Sequence, residues 1–321
     1  MDEAPNTPEA AWLAFRQGNF DHATRVSNVV LERDPDLLTK LPIAEIWTLQ
    51  AYHLARSGLQ GDACTLLRRV LNLFPEDRIA QQMLLIIEDE LAGHPSRERW
   101  TATPETDGRL VLGIGTGRSG STTLSALLDA QPSARVTHEA KPTLYWDRET
   151  NADDFHIERF RHLMTRHALV GDVAHWWLPK LPRLIALFPS VRIIALKRDK
   201  QQTVESFLRV KGGEQQGAVN HWVDHDGRYW TKNPWDGCYP KFTATTLKES
   251  IELYWDTYTE ETDRLSHSYP EKIRTYATDS LSDEKAQADM LSFIGVAEKD
   301  RVLMPGLHQN QATVSDGAWT P

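Results

Sequence analysis

The chain is poor in cysteine, with only Cys64 and Cys238 among 321 residues. Two distant thiols make neither a disulfide framework nor a metal-type pair, so a reducing, cytoplasmic setting is expected. Long apolar runs are missing too. No stretch approaches the ~18 residues of a membrane helix, so no membrane span is expected. The acidic start MDEAPNTPEA has neither the basic nor the apolar part of a secretory signal. Positive charge is in deficit: 36 Lys+Arg face 45 Asp+Glu, a formal net charge of −9. That balance excludes a general nucleic-acid coat, which needs clustered cations. It leaves room for one local cationic pocket. The remaining composition, 40% hydrophobic and 25% charged, sets aside disordered and collagen-like classes. Tryptophan is abundant at 11 residues, and five of them (Trp146, Trp176, Trp177, Trp222, Trp230) lie within 85 positions.

The length predicts two domains. Residues 8–92 carry helical patterning that repeats: Gly18/Gly58, Ala23/Ala63, Val30/Val70, Leu31/Leu71 and Pro35/Pro75 are each 40 residues apart. Within each copy the glycine separates two helices, the alanine permits close packing and the proline ends the second helix. This pattern resembles the tetratricopeptide repeat, with about six extra residues between copies. Two repeats do not bury their faces alone, so the helix at 79–92 is expected to cap them or bridge to the second half. A partner protein is the expected ligand of such an arm. The expected division is a helical-repeat domain over 1–93, a polar linker over 94–108 and a second domain over 109–321.

From residue 109 short apolar strands alternate with helices. RLVLGI (109–114), SARVTH (133–138), ALVGDV (168–173), VRIIAL (191–196) and KIRTYA (272–277) read as strands. Alternating β and α elements predict an α/β class with a parallel sheet and helices on both faces. Ligands of such sheets bind beyond the carboxyl ends of the strands.

The first strand runs into Gly115-Thr116-Gly117-Arg118-Ser119-Gly120-Ser121-Thr122-Thr123. Strand, glycine loop and helix in that order make an anion site from backbone N–H groups and a helix N-terminus. Three ligands fit. G-x-G-x-x-G suits a dinucleotide, with Glu139 as ribose ligand. Gly115 and Gly120 have the spacing of a triphosphatase or kinase loop, but Ser121 stands where its lysine belongs. A hydroxyl-rich loop, with Ser119, Ser121, Thr122 and Thr123 as donors and Arg118 as the charge, suits a phosphate. A second segment bears on the choice. In VRIIALKRDKQQTVESF, Arg198 leaves a strand end and Ser206 follows eight residues later inside a helix, where the two can clasp a further phosphate.

GRSGSTTL resembles the 5′-phosphosulfate loop of the sulfotransferases, and LKRDKQQTVESF their 3′-phosphate motif with the same arginine–serine spacing. YPEKIRTYATDSLSDEKAQADMLSFIGV resembles their common ending. The resemblance spans roughly 109–296 and implies a P-loop-like sulfotransferase fold that binds 3′-phosphoadenylyl sulfate (PAPS). It implies transfer of the sulfuryl group to an acceptor hydroxyl or amine and release of adenosine 3′,5′-bisphosphate, with no metal. Gly117, Arg118, Ser119, Gly120, Ser121, Thr122, Thr123, Arg198 and Ser206 are the implied nucleotide ligands. Arg118 stands where cytosolic members usually have lysine, and the family's Arg-Lys-Gly segment near the C-terminus has no obvious counterpart. The acceptor, whether carbohydrate, lipid headgroup, peptide or small alcohol, is therefore open.

Sulfuryl transfer needs cations on the equatorial oxygens and a base for the acceptor proton. Glu139 in VTHEAKP, 21 residues after Arg118 and just past the second strand, is the expected base, with His138 as competitor. Lys141 is a further candidate for the sulfuryl oxygens. Asp172 at a strand end is a loop-orienting or turn-capping residue. The stretch 211–246 is irregular and aromatic, so Trp222, Tyr229, Trp230, Trp235 and Tyr239 either stack on an acceptor or bury one another. His221 and His225, with Asp224 and Asp226, have helical metal spacing without a reason to be helical. The alternatives are a nucleotide kinase or triphosphatase, an NAD(P) oxidoreductase, and a nucleotide-sensing repeat scaffold that does not catalyse.

Overall fold

The structure is a computed structural model. It describes residues 19–34, 43–92, 108–140, 142–147, 149, 151–212, 219–223 and 234–306, with short pieces at 6–8, 10–11 and 14. The expected linker falls almost wholly outside these residues, as do Gly18 and Pro35. The chain divides into two compact units. Among the described residues no helix is long and apolar enough to cross a membrane.

The first unit comprises Met1–Pro104, Lys141–His162 and Asp226–Cys238. Its helices are α1 (Phe20–Arg33), α2 (Ile43–Arg56), α3 (Gln60–Leu73) and α4 (Arg78–Leu91). The bounds of α1 and α3 are 40 residues apart, and the pairs Ala23/Ala63 and Val30/Val70 are all buried. Helix α2 packs between its neighbours α1 and α3. It is buried on most of its circumference, with the polar Glu45, Thr48 and Gln50 covered along with Ile46, Trp47, Leu49 and Ala51, as a helix packed on several sides must be.

The region expected as one domain over 109–321 gives two stretches to this unit. Buried Glu45 on α2 accepts the Thr143 amide (3.3 Å) and hydroxyl (3.1 Å). Tyr52 meets Phe155 edge to face at 5.4 Å. Phe155 belongs to α6 (Asn151–Met164), whose first twelve residues lie in this unit. The Trp146 amide donates to the Gly237 carbonyl at 2.9 Å, which ties the two inserted stretches together.

The second unit comprises Glu105–Ala140, Leu163–His225 and Tyr239–Pro321. It is built on a five-stranded, wholly parallel sheet in the order β2-β3-β1-β4-β5. The strands are β1 (Arg109–Ile114), β2 (Ala134–His138), β3 (Leu169–Val173), β4 (Arg192–Lys197) and β5 (Ile273–Ala277). The helices are α5 (Ser121–Asp129), the end of α6, α7 (Leu181–Leu187), α8 (Lys200–Lys211), α9 (Leu247–Ser268) and α10 (Glu284–Phe293). The α/β class with a helical segment at the N-terminus is therefore as the periodicity predicts.

Continuous apolar strands are what a parallel sheet covered by helices requires. β1 is buried from Leu110 onward and β3 throughout, while β5, at the edge, buries only Ile273. The core joins Val111, Leu124, Leu128, Val136, Val173, Ile194 and Met290. The connection leaving β1 runs toward β2 and that leaving β4 runs toward β5, on opposite sides. A crevice then opens beyond the carboxyl end of β1, and the glycine loop lies there.

Candidate active site

The loop after β1 needs glycine where its backbone turns left-handed. Gly117 has φ 79° and Gly120, the N-cap of α5, has φ 87°. A Cβ on Gly120 would stand 2.6 Å from Leu281 as well, so glycine is required twice over there. Between them Arg118 also adopts a left-handed φ of 55°. A non-glycine residue in that region costs about 1 kcal/mol or more and is held by its surroundings.

Those surroundings are specific. The Gly115 amide donates to the Tyr258 phenol at 2.9 Å, and the same phenol donates to the His175 carbonyl at 3.1 Å. Tyr254, one turn earlier on α9, donates to the Thr116 carbonyl at 2.9 Å. Burial holds the Tyr258 hydroxyl protonated, pushing its pKa far above the ordinary phenol value. The Thr278 hydroxyl donates to the Ser119 carbonyl at 3.0 Å. One face of α9 thus suspends the start of the loop, and no side chain caps the N-terminus of α5.

The two segments singled out in the sequence meet. Arg118 Nε donates to Ser206 Oγ at 3.2 Å, and Arg198 Nη1 donates to the Arg118 carbonyl at 2.8 Å. Arg198 Nε reaches Gln202 at 3.3 Å, and Trp255 of α9 donates to the Arg198 carbonyl at 3.0 Å. Asp199 caps α8 through the Gln202 amide, which fixes how Ser206 emerges. Burial lowers the pKa of Arg118, and the guanidinium groups of Arg198 and Arg209 lower it further. Tyr239 and Glu139 offset part of this, and among the described residues neither Arg118 nor Arg198 forms an ion pair with a carboxylate, so positive charge converges there.

The other loop hydroxyls differ in placement. Ser121 lies 2.9 Å from His138 Nε2. Ser119 is fully buried, its hydroxyl turned back toward Gly115 and without a hydrogen-bond partner among the described residues. Thr122 is half-buried and Thr123 buried in the first turn of α5. Lys141 lies outside the described residues.

Glu139 follows β2 with a left-handed φ of 49°. Its amide donates to the Val173 carbonyl (3.1 Å) and the next amide, Ala140, donates to Asp172 Oδ1 (3.1 Å). Asp172, fully buried, also accepts from the Thr137 hydroxyl (2.6 Å) and the Trp177 indole (2.8 Å). Its carboxylate pins the β2 and β3 ends together, which is the loop-orienting role. Glu139 then faces His175, Oε1 to Nδ1 3.7 Å, with the glutamate partly exposed and the histidine buried. His175 was not legible as a site residue. The available signal was its position just past a strand at the ligand edge of the sheet.

Behind His175 the aromatics of the irregular stretch bury one another. Tyr239 stacks on His175 at 4.4 Å on one side and on His221 at 5.3 Å on the other. Trp222 is fully buried against Phe207 and Tyr239. Trp222 and Tyr239 therefore form a wall of the unit and offer no open stacking face. His221 accepts from Lys211 at 2.7 Å, which occupies its Nε2. Tyr229, Trp230, Asp224, His225 and Asp226 lie outside the described residues. Trp235, half-buried, belongs to the first unit.

The strand order bears on the dinucleotide reading. A dinucleotide fold places β2 beside β1, so that the acid after β2 reaches the ribose. Here β3 lies between them. Among the described residues no group of three or more His, Cys, Asp or Glu is arranged to hold a metal. No family model matches the chain. No curated protein matches it either. Among solved structures it is similar to a sulfotransferase from Alicyclobacillus acidocaldarius, at 13% identity and a TM-score of 0.40, over 63% of this chain and 86% of that one. A likeness that weak leaves the functional reading to the chemistry of the site.

Proposed function

We propose that the chain is a PAPS-dependent sulfotransferase acting on a hydroxyl or amine of an acceptor whose identity is open. The observation that carries this reading is the convergence of Arg118, Arg198 and Ser206 at the end of β1, with no ion pair to a carboxylate among the described residues. An acidic chain that concentrates unpaired guanidinium charge at a glycine loop and an uncapped helix end is built for an anion. The residues fit a ligand with two anionic groups and no metal: the loop amides and Ser121, Thr122 and Thr123 for one, Arg198 and Ser206 for the other. The absent loop lysine argues against a triphosphatase.

PAPS, when bound, supplies the sulfuryl group. Arg118 stabilises the charge that develops on the transferring group and on the departing bisphosphate. Glu139 takes the acceptor proton, its backbone held by Val173 and Asp172 and its carboxylate facing His175. His138 positions the Ser121 hydroxyl. Lys141 is retained as a candidate for the sulfuryl oxygens. The helical unit, with its 40-residue period, is proposed as a tetratricopeptide-like arm that binds a partner protein or presents the acceptor, in a cytoplasmic setting.

A thermal-shift panel tests the reading. Adenosine 3′,5′-bisphosphate should stabilise the protein without metal by RT ln(1 + [L]/Kd), about 2.7 kcal/mol at 100 times Kd. A shift with Mg-ATP or NADP⁺ and none with the bisphosphate would overturn it.

A further inference from the structure

The site contains a cation that neither motif includes. Arg209 lies one turn beyond Ser206 in the last turn of α8, so Gln202, Ser206 and Arg209 follow one another along a single helix face. Two of those three already engage the site: Gln202 accepts from Arg198 and Ser206 from Arg118. Arg209 is exposed and, among the described residues, makes neither a hydrogen bond nor an ion pair. It is close enough to Arg118 for its charge to depress the ionisation of that guanidinium.

Several other cations of this unit are paired with carboxylates. Lys197 pairs with Asp263 at 3.1 Å and Lys200 with Asp256 at 2.7 Å. Arg264 pairs with Glu261 at 2.7 Å and Arg274 with Asp289 at 3.1 Å. Arg198 and Arg209 both bear on Arg118, and Glu139 offsets them only in part, so the three guanidinium groups repel one another and the arrangement favours a bound anion.

We infer that Arg209 is a ligand-binding residue that completes a three-arginine cage with Arg118 and Arg198 and closes on the second phosphate, the one at Ser206, of a nucleoside 3′,5′-bisphosphate. The inference rests on the proposed nucleotide reading and adds to it the residue that discriminates a bisphosphate from a monophosphate. Exposed, in the last turn of the helix and without a hydrogen bond or ion pair among the described residues, Arg209 can swing onto the ligand after the ligand has entered.

The test uses the full chain and its Arg209→Lys, Arg209→Ala and Arg209→Glu variants, titrated with adenosine 3′,5′-bisphosphate and with adenosine 5′-phosphate in a calorimeter. Affinity for the bisphosphate should fall in the order Lys, Ala, Glu, with Arg209→Ala losing roughly tenfold, the low end for a charge-assisted contact at an exposed site. Affinity for the monophosphate should change by less than about twofold. Bisphosphate affinity unaltered in all three variants overturns the inference alone. So does an equal loss in all three, which is a structural effect, or an equal loss for both ligands, which places Arg209 on the glycine-loop anion. If the unaltered chain does not bind the bisphosphate, the nucleotide reading and the inference both fall.

Discussion

The two units treat charge and backbone strain in opposite ways. In the helical unit Arg68 pairs with Glu88 at 2.7 Å, Arg69 lies over the Trp47 ring, and Glu45 is consumed by two donors from Thr143. In the sheet unit Arg118, Arg198 and Arg209 form no ion pair among the described residues, and all three described non-glycine residues with positive φ (Arg118, Ser133 and Glu139) occur there. Buried hydroxyls without partners occur in both: Ser27 and Thr48 in the first, Ser119 in the second. An orphan hydroxyl is therefore no marker of a site here. Unbalanced charge beside strained backbone is, because each costs folding free energy and together they persist where a ligand repays them.

The strongest way to break this comparison is to remove one side of it. A chain lacking residues 1–104 takes away Glu45 and Tyr52, leaving Thr143 and Phe155 without their partners. We expect it to aggregate. A soluble, monomeric product by size-exclusion chromatography would show that the helical unit is a separable arm and not a structural partner of those stretches.

Within the sheet unit the largest effect is expected at Glu139. Glu139→Gln should leave bisphosphate affinity almost unchanged while lowering the transfer rate by about 10²–10⁴, the usual worth of a positioned base. A binding titration and a labelled-cofactor transfer assay separate the two. His138→Ala, which loses only the contact to Ser121, should fall less, and a larger loss there would move the base to His138.

The helical unit should respond to acid instead. Burial, with Arg159 beside it, drives the pKa of His156 down to about 3, and the neutral ring bonds the Pro142 carbonyl at 2.8 Å. The folded pKa lies below the unfolded one, so the unfolded chain binds the extra proton and stability falls as pH drops from about 6.5 toward 3. Between pH 7 and 5 this group alone should cost about 2 kcal/mol. His156→Gln keeps a donor for Pro142 but does not titrate. Urea unfolding at the two pH values should show the variant losing less stability on acidification than the parent, and an equal loss would assign the acid response elsewhere.

The smallest expected effect sharpens the comparison by contrast. Arg68→Ala breaks an exposed ion pair in the helical unit and should cost under about 1 kcal/mol, with bisphosphate affinity untouched. A larger stability loss, or any change in binding, would mean that paired and unpaired arginines are not distinct populations in this protein.

How far these features were legible depends on whether they are local in the chain. The strand–glycine loop–helix at 109–129 and the arginine–serine spacing across β4 and α8 are set by contiguous residues. Glycines that allow φ above zero, a buried apolar run and a capping aspartate leave the chain few options there. The alternation of strands and helices likewise dictated a parallel sheet. The sequence on its own did not place β3 between β1 and β2, bring His175 to Glu139, or hang the glycine loop from Tyr254 and Tyr258, more than 130 positions away. Nor did it assign 141–162 to the helical unit, since nothing near Thr143 reveals that Glu45 will be its acceptor. Local conformational preference is written in neighbouring residues. Which distant side chain satisfies a buried donor or faces a carboxylate is decided only when the sheet has its order and the helices have packed, and in this protein that is the step that builds the site.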